Sequence, residues 1–148
     1  MRYAGLLLAA ALSTAAHAHD EGHGPKLSDQ PPQGGVITAV VEAKDAKLGA
    51  KAPLVYKAEM VRSEDGIVRV TLYDKELKPL DAAKLAKGAD AVLIIIKKKK
   101  VIEKPFKLTL DAGTFVGKMP KPASKPYNID VTVMEGKRKL LAAFDNLD

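Results

Sequence analysis

Residues 54–73 read LVYKAEMVRSEDGIVRVTLY and consist of two alternating segments with a turn between them. Because successive side chains of a β-strand point to opposite faces, each segment has one apolar face. These faces comprise Leu54, Tyr56, Ala58 and Met60 in the first segment and Val68, Val70 and Leu72 in the second. The turn Glu64-Asp65-Gly66 ends in a glycine, which takes positive φ at little steric cost. The stretch therefore predicts an antiparallel hairpin with strands over 54–62 and 67–73.

Similar short segments lie before and after this hairpin, and turn residues separate them. They cover residues 36–41, 91–96, 101–110, 114–118, 127–134 and 138–144. Such a series of short strands is typical of an all-β domain, and the chain is long enough for one domain only. We therefore predict an all-β fold over 36–148, a single immunoglobulin-like β-sandwich of roughly seven or eight antiparallel strands.

Three segments lead to more specific expectations. The continuous apolar run AVLIII, at 91–96, is typical of a strand that is covered on both faces. Pro105 argues against an interior position early in the next strand, since proline donates no ladder hydrogen bond. Asp81 begins the sequence DAAKLAK and predicts one or two capped helical turns over 81–87.

The first 18 residues have the organisation of a secretory signal peptide. Arg2 supplies a positive charge, residues 4–12 are apolar, and Ala16-His17-Ala18 is a cleavage site of the A-x-A type. The apolar part is shorter than the roughly 20 residues that span a bilayer. We therefore predict export to the periplasm, cleavage after Ala18 and no stable membrane insertion. A retained N-terminal anchor is the alternative.

Residues 19–35 contain several glycines and prolines but no apolar periodicity. Such a composition buries too little apolar surface to offset the conformational entropy that is lost on ordering. We therefore predict a flexible leader over 19–35, between the signal peptide, 1–18, and the β domain, 36–148.

The composition argues against several classes of function. The formal net charge of +6 comes from lysines spread along the chain, and the predicted export argues against a nucleic-acid partner. Three Phe, four Tyr and no Trp give few stacking surfaces for carbohydrate or single-stranded nucleic acid. With no Cys, and no His after His23, the β domain has no thiol or imidazole for nucleophilic catalysis. We therefore expect no enzyme, although paired carboxylates stay open because their pairing is spatial.

The predicted mature N-terminus contains His19 and His23, the two histidines that remain after cleavage. With cleavage after Ala18, the free amine and the imidazole of His19 can chelate one ion. Three neighbours are near enough in a flexible chain to complete the ligand set: His23, Asp20 and Glu21. Nitrogen donors of this kind suit Cu(II), which heads the affinity order of divalent first-row metals.

Two alternatives to this metal site stay open. Cleavage after Ala16 would make His19 the third residue, which is also a square-planar nitrogen arrangement for Cu(II) or Ni(II). The other alternative is a solvated polar tail whose histidines bind nothing.

The four lysines Lys97–Lys100 directly follow the apolar run. Charge at the end of an apolar strand is typical of protection against edge-to-edge aggregation. A docking patch for anionic lipid or for an acidic partner is the alternative interpretation.

Three motifs follow the His/Asp/Glu/Gly leader: Gln33-Gly34-Gly35-Val36, Val68-Arg69-Val70-Thr71-Leu72-Tyr73-Asp74-Lys75 and Lys78-Pro79-Leu80. Together with the leader, they resemble small periplasmic proteins found alongside heavy-metal efflux systems of the RND type. The resemblance implies a small β domain with a metal-sensing, buffering or delivery role beside an efflux adaptor. CopC-like periplasmic copper carriers are similar at His19 only, because this chain lacks their later histidine and their Met clusters.

The leading hypothesis is a periplasmic metal-binding accessory protein for copper or another divalent transition metal. It would buffer the ion or deliver it to an efflux system, and its partners would be the metal ion and an efflux adaptor or another envelope protein. The alternative is a non-catalytic structural or protein-interaction module of the cell envelope that binds no metal.

Overall fold

The computed structural model describes residues 23–148, which form an all-β fold of eight strands. The strands are β1 (Val36–Glu42), β2 (Tyr56–Arg62), β3 (Ile67–Tyr73), β4 (Leu85–Lys97), β5 (Lys100–Asp111), β6 (Thr114–Lys118), β7 (Tyr127–Glu135) and β8 (Arg138–Leu147). Short 3₁₀ segments cover Ala43–Lys51 and Ala82–Lys84. The predicted number of strands and their antiparallel pairing are confirmed.

The prediction of an immunoglobulin-like sandwich is wrong, because the strands close into a barrel. Their order around the barrel is β1-β2-β3-β6-β5-β4-β7-β8, and β8 pairs with β1 to complete the circle. A sandwich and a barrel both bury one face of every strand, so the alternation of apolar residues is the same in both. Which strands meet depends on long-range pairing, which the local pattern does not contain.

The hairpin predicted at 54–73 is present as β2 and β3, with a register from Lys57↔Tyr73 to Arg62↔Val68. Ala58 and Met60 point into the barrel and are buried, as predicted. Leu54 precedes the strand, which begins at Tyr56. Side chains from all eight strands fill the interior, which is mainly aliphatic, with Phe115 and Phe144 as the largest fully buried side chains. Burial of each large apolar side chain contributes about 1.5–3 kcal/mol to stability.

The expectation for the apolar run 91–96 is wrong in one respect. Ala91, Leu93 and Ile95 face the core, but Ile96 on the other face is 47% exposed. The run therefore belongs to a long strand that is covered on one face only.

Pro105 lies inside β5, opposite Val92 of β4 and at an edge of the sheet, as the prediction against an interior position requires. Residues 100–108 of β5 pair with β4 on one side and have no ladder partner on the other, because β6 joins only at Thr109. An edge strand tolerates proline, since no ladder hydrogen bond is required on its free side.

The segment 81–87 contains a single 3₁₀ turn rather than one or two helical turns. The Asp81 side chain caps it by accepting a hydrogen bond from the Ala83 amide at 3.0 Å, as predicted. Leu85 then starts β4 and is buried in the core, which ends the helical conformation. No helix within residues 23–148 is long and apolar enough to cross a membrane.

Candidate functional site

The predicted metal ligands fall at the boundary of the described residues. His19, Asp20 and Glu21 lie outside residues 23–148, so their prediction stays untested. His23 is the first described residue, and its side chain is exposed. The segment between His23 and β1 determines where this histidine lies relative to the barrel.

Residues 24–35, which we call the N-terminal strap, lie against the outer face of the barrel. Val40 faces the core, so its neighbours Ala39 and Val41 point outward, and yet both are buried. Gly24 covers them closely: a Cβ at this position would lie 2.9 Å from the Ala39 Cβ and 3.1 Å from Val41 Cγ1. The latter part of the predicted flexible leader therefore makes defined contacts, while the predicted domain boundaries stay untested.

Glu59 anchors the C-terminal end of the strap. It belongs to the outer face of β2, but its side chain is only 1% exposed. Its carboxylate accepts hydrogen bonds from the Gln33 amide at 2.8 Å, the Gly35 amide at 2.9 Å and the Tyr73 hydroxyl at 3.1 Å. A buried carboxylate is tolerated when several donors replace its water, which is the arrangement here.

Gly35 makes this anchor possible because it approaches β2 so closely. A Cβ at Gly35 would lie 2.2 Å from the carbonyl oxygen of Met60, a distance that no side chain allows. The motif Gln33-Gly34-Gly35-Val36 is therefore the point where the strap docks and β1 begins.

Further polar contacts hold the rest of the strap. Lys57 Nζ, on the outer face of β2, lies 2.8 Å from Asp29 Oδ1, and the lysine side chain is almost entirely buried. Gln33 Nε2 donates to Thr71 Oγ1 at 3.1 Å and to the Tyr73 hydroxyl at 2.9 Å. Burial, together with the hydrogen bond to Glu59, raises the pKa of Tyr73, so its hydroxyl stays a donor at neutral pH.

The strap directs His23 to one row of outward-facing residues across the barrel wall. The row consists of Ala143 of β8, Asp130 of β7 and Val92 of β4. Ala143, which lies next to β1, is paired with Asp130, and Asp130 is paired with Val92. Ala143 is linked to β1 because its carbonyl accepts a hydrogen bond from the Thr38 hydroxyl at 2.7 Å. Gly24 covers Ala39 in this part of β1, and the residue before it, His23, lies close enough to Asp130 for their charges to interact.

Asp130 is a half-buried carboxylate within electrostatic range of His23. Burial raises the pKa of Asp130; the nearby imidazole of His23 opposes this, while Asp145 and Glu103 raise the pKa further. The imidazole and the carboxylate are two potential ligands for one ion. Within residues 23–148, no three His, Cys, Asp or Glu side chains lie close enough together to hold a metal ion. A complete site at this position would therefore need donors from residues 19–22.

Neither Asp130 nor the anchoring residues of the strap could be identified from the sequence pattern. Lys57 and Glu59 alternate with core positions, a pattern that normally indicates a solvated face. In the predicted hairpin, Lys57 lies opposite Tyr73 and Glu59 lies opposite Thr71, all on the same face. This cluster of polar side chains could have raised doubt that the face is simply solvated. Nothing local indicated that a distant segment covers them.

A groove of about 880 Å³ opens at one end of the barrel, between the strap docking point and the segment after β6. Arg62 lies over the Tyr127 ring, 5.5 Å from its centroid, and donates hydrogen bonds to the Tyr127 hydroxyl and to the backbone oxygen of Asp148. The remaining charges on the rim have both signs: Glu64, Asp65, Lys118, Lys121 and Lys125. This mixture selects no class of ligand.

Comparisons with protein-family models, with curated proteins and with solved structures each found no match to this chain. They assign no family. The resemblance to periplasmic proteins found beside heavy-metal efflux systems therefore stays a prediction.

Proposed function

We propose that this protein is a non-catalytic periplasmic metal-binding accessory protein that holds Cu(II) or another divalent transition metal and buffers it or delivers it to a heavy-metal efflux system. The observation that supports this function is the anchored strap, which covers Ala39 at Gly24 and leaves His23 within electrostatic range of Asp130. A histidine would then meet a carboxylate beside the segment that carries the other predicted donors.

The proposed ligand set combines His23 with the terminal amine and imidazole of His19. Three nitrogen donors of this kind suit the tetragonal geometry of Cu(II). Asp130 would accept a hydrogen bond from the ligating imidazole or provide an oxygen ligand, and either role orients the histidine. Asp20 and Glu21 are the remaining oxygen donors in the predicted set.

The strap also reduces the entropy cost of forming such a site. Ordering the backbone costs about 1–2 kcal/mol for each residue. Because the strap already contacts the barrel, ordering residues 24–35 adds nothing to the cost of binding the ion. More of the apparent binding free energy, about 10–16 kcal/mol for structural zinc sites, then remains for affinity.

Calorimetric titration of Cu(II) and Zn(II) into the exported protein tests this proposal, after mass spectrometry has established the mature N-terminus. We expect one Cu(II) per chain, bound at least tenfold more weakly by His19→Ala and by His23→Ala. Asp130→Asn should weaken binding by about tenfold, as loss of a residue that orients a ligand does. Asp111→Asn, a carboxylate exposed at the end of β5, is the matched control and should bind as the wild type does.

Two results would contradict the proposal. One is a wild-type protein that binds neither ion, and the other is affinity that persists when both histidines are replaced. The first result would favour the alternative function, a non-catalytic interaction module of the envelope that binds no metal, and the second would assign the metal to other residues. The structural feature on which that alternative rests is the β4–β5 hairpin, where Ile96, Val101 and Ile102 are exposed.

A further inference from the structure

Strands β4 and β5 are the two longest of the fold, with 13 and 12 residues, and they extend beyond their neighbours. The pairing of β4 with β7 ends at Ile94, and the pairing of β5 with β6 begins only at Thr109. Residues 95–102, which we call the hairpin tip, therefore have no neighbouring strand on either edge. Ile95 still packs in the core, and the rest of the tip extends past the last pairs with β7 and β6.

The hairpin tip exposes large apolar side chains. Ile96 is 47% exposed, Val101 54% and Ile102 40%, and these three account for half of the six large hydrophobic side chains that are exposed within residues 23–148. Ile96 and Val101 are opposite each other across the two strands, so they form one apolar patch on the same face. A cluster of this kind usually marks an interaction site.

Four exposed lysines, Lys97–Lys100, surround this patch at the end of the hairpin. Lys98 and Lys99 form a two-residue turn with φ angles of 48° and 64°. Two positive φ values define a type I′ turn, which strongly favours Asn-Gly because other side chains are strained there. The backbone alone would therefore not select lysine at these positions, which indicates that the charge itself has a role.

Protection against aggregation explains only part of this arrangement. Lysine serves that purpose, but protection alone does not explain why the apolar side chains of the tip remain exposed beside it. Addition of a partner strand to the free edge of β5 is disfavoured by Pro105 and by Lys104 and Lys107. Apolar side chains next to a lysine cluster are instead complementary to an anionic lipid surface.

We propose that the hairpin tip docks the protein peripherally onto anionic phospholipid surfaces. Ile96 and Val101 would enter the boundary between headgroups and acyl chains, while the lysines contact the lipid phosphates. Glu103, which comes directly after the tip, is the nearest opposing charge in the sequence of β5 and leaves the tip strongly positive. The docking residues are distinct from those of the metal site, because the His23 and Asp130 row crosses β4 at Val92, before the tip begins.

Co-sedimentation of the full mature protein with lipid vesicles tests the proposal. We expect binding to vesicles that contain phosphatidylglycerol and phosphatidylethanolamine, and little binding to vesicles of phosphatidylcholine alone. Binding should weaken as the salt concentration rises, since exposed charges are screened over about 10 Å at 0.1 M salt. Ile96→Thr with Val101→Thr should reduce the fraction that remains bound at high salt, because the apolar part of the contact is lost.

Charge variants separate docking from protection against aggregation. Lys98→Glu with Lys99→Glu keeps two charges at these positions, so protection against aggregation is retained. The variant should bind anionic vesicles at least twenty-fold more weakly, because each lysine that is lost lowers the affinity roughly fivefold. Lys98→Asn with Lys99→Gly should lose affinity as well, although it provides the preferred turn residues and so cannot act by unfolding the hairpin. The control is Lys137→Glu with Lys139→Glu, where β7 turns into β8 beside the start of β4, at the end away from the tip. It changes the net charge equally and should retain most of the binding.

The proposal is overturned if the wild type does not prefer anionic vesicles, or if both tip variants bind them as the wild type does. Binding to poly-glutamate in the absence of vesicle binding would also overturn it and would assign the tip to an acidic protein partner. Calorimetry of the tip variants with Cu(II) should give the wild-type result, so failure of lipid docking and failure of metal binding are distinguishable.

Discussion

Glu59 shows how a single side chain connects the strap to the barrel. Its carboxylate accepts hydrogen bonds from the Gln33 and Gly35 amides and from the Tyr73 hydroxyl. Glu59→Ala would leave these donors without an acceptor in a buried position. We expect the free energy of unfolding to fall by about 3 kcal/mol, as urea denaturation would measure.

Glu64→Ala is the matched control for this substitution, because Glu64 lies exposed in the turn between β2 and β3. It should change stability by less than about 0.5 kcal/mol. Trypsin should also cleave after Lys26 faster in Glu59→Ala than in the control, since release of the strap exposes that bond. Equal stability and equal cleavage of the two variants would mean that Glu59 does not anchor the strap.

Asp130 contributes a dependence of stability on pH. Burial raises the pKa of its carboxyl in the folded protein above its usual value of 3.8, so the folded state binds the proton more tightly than the unfolded state does. The contribution of Asp130 to stability is therefore fully present below about pH 3.8 and is lost as the pH rises through the folded pKa.

Asp130→Asn should consequently make the metal-free protein more stable at pH 7, and this gain over the wild type should shrink as the pH falls towards 3.8. Urea denaturation of both proteins across this range measures the difference. A variant that is less stable than the wild type at pH 7 would contradict the burial of an ionised carboxylate. A carboxylate that lowers the stability of the folded protein is better explained by a role in binding than by a role in folding.

At the scale of elements, the turn at the end of the β4–β5 hairpin makes a direct prediction. Lys98 and Lys99 both have positive φ, which costs about 1–2 kcal/mol per residue for side chains other than those of Gly, Asn or Asp. Lys98→Asn with Lys99→Gly should therefore raise the free energy of unfolding by about 1–2 kcal/mol in total. Lys98→Ala with Lys99→Ala, which removes the same charges but keeps the strain, should show no such gain.

The elements that the sequence predicts well are those whose partners are local. The strands over 54–62 and 67–73 and their turn lie next to each other in the chain, so one pattern contains the whole hairpin. The strap is different, since Gln33 and Asp29 contact β2 and β3 from far away in the sequence. Glycine and proline in residues 24–35 indicated a segment without its own core, which is correct, but not that the barrel provides one.

The candidate site was predictable from sequence only in part, because its chemistry is split between distant segments. His23 could be identified because histidine is scarce and the residues around it are polar. Asp130 could not, since it alternates with core residues of β7 as any solvated aspartate would. Its proximity to His23 depends on the path of the strap across β1 and on the pairing of β8 with both β1 and β7.

At the scale of the whole molecule, barrel closure depends on two short seams. β1 pairs with β8 only from Val40 opposite Ala142 to Glu42 opposite Leu140. β5 pairs with β6 only from Thr109 opposite Val116 to Asp111 opposite Thr114. β7, by contrast, is paired with β4 and β8 along most of its length. The barrel is therefore expected to open locally at its seams before it unfolds completely.

Hydrogen exchange of backbone amides tests this expectation. Ladder amides of β7, such as those at 129–133, should exchange at the slowest rates, since both of their neighbouring strands must separate first. Amides at the two seams, 40–42 and 109–111, should exchange faster, because breaking a short ladder exposes them without loss of the remaining core. If the seam amides are protected as strongly as those of β7, then the barrel opens only by global unfolding. Closure would in that case be held by the packed interior rather than by the ladders, because Val40 and Leu140 belong to the same core as the β7 side chains.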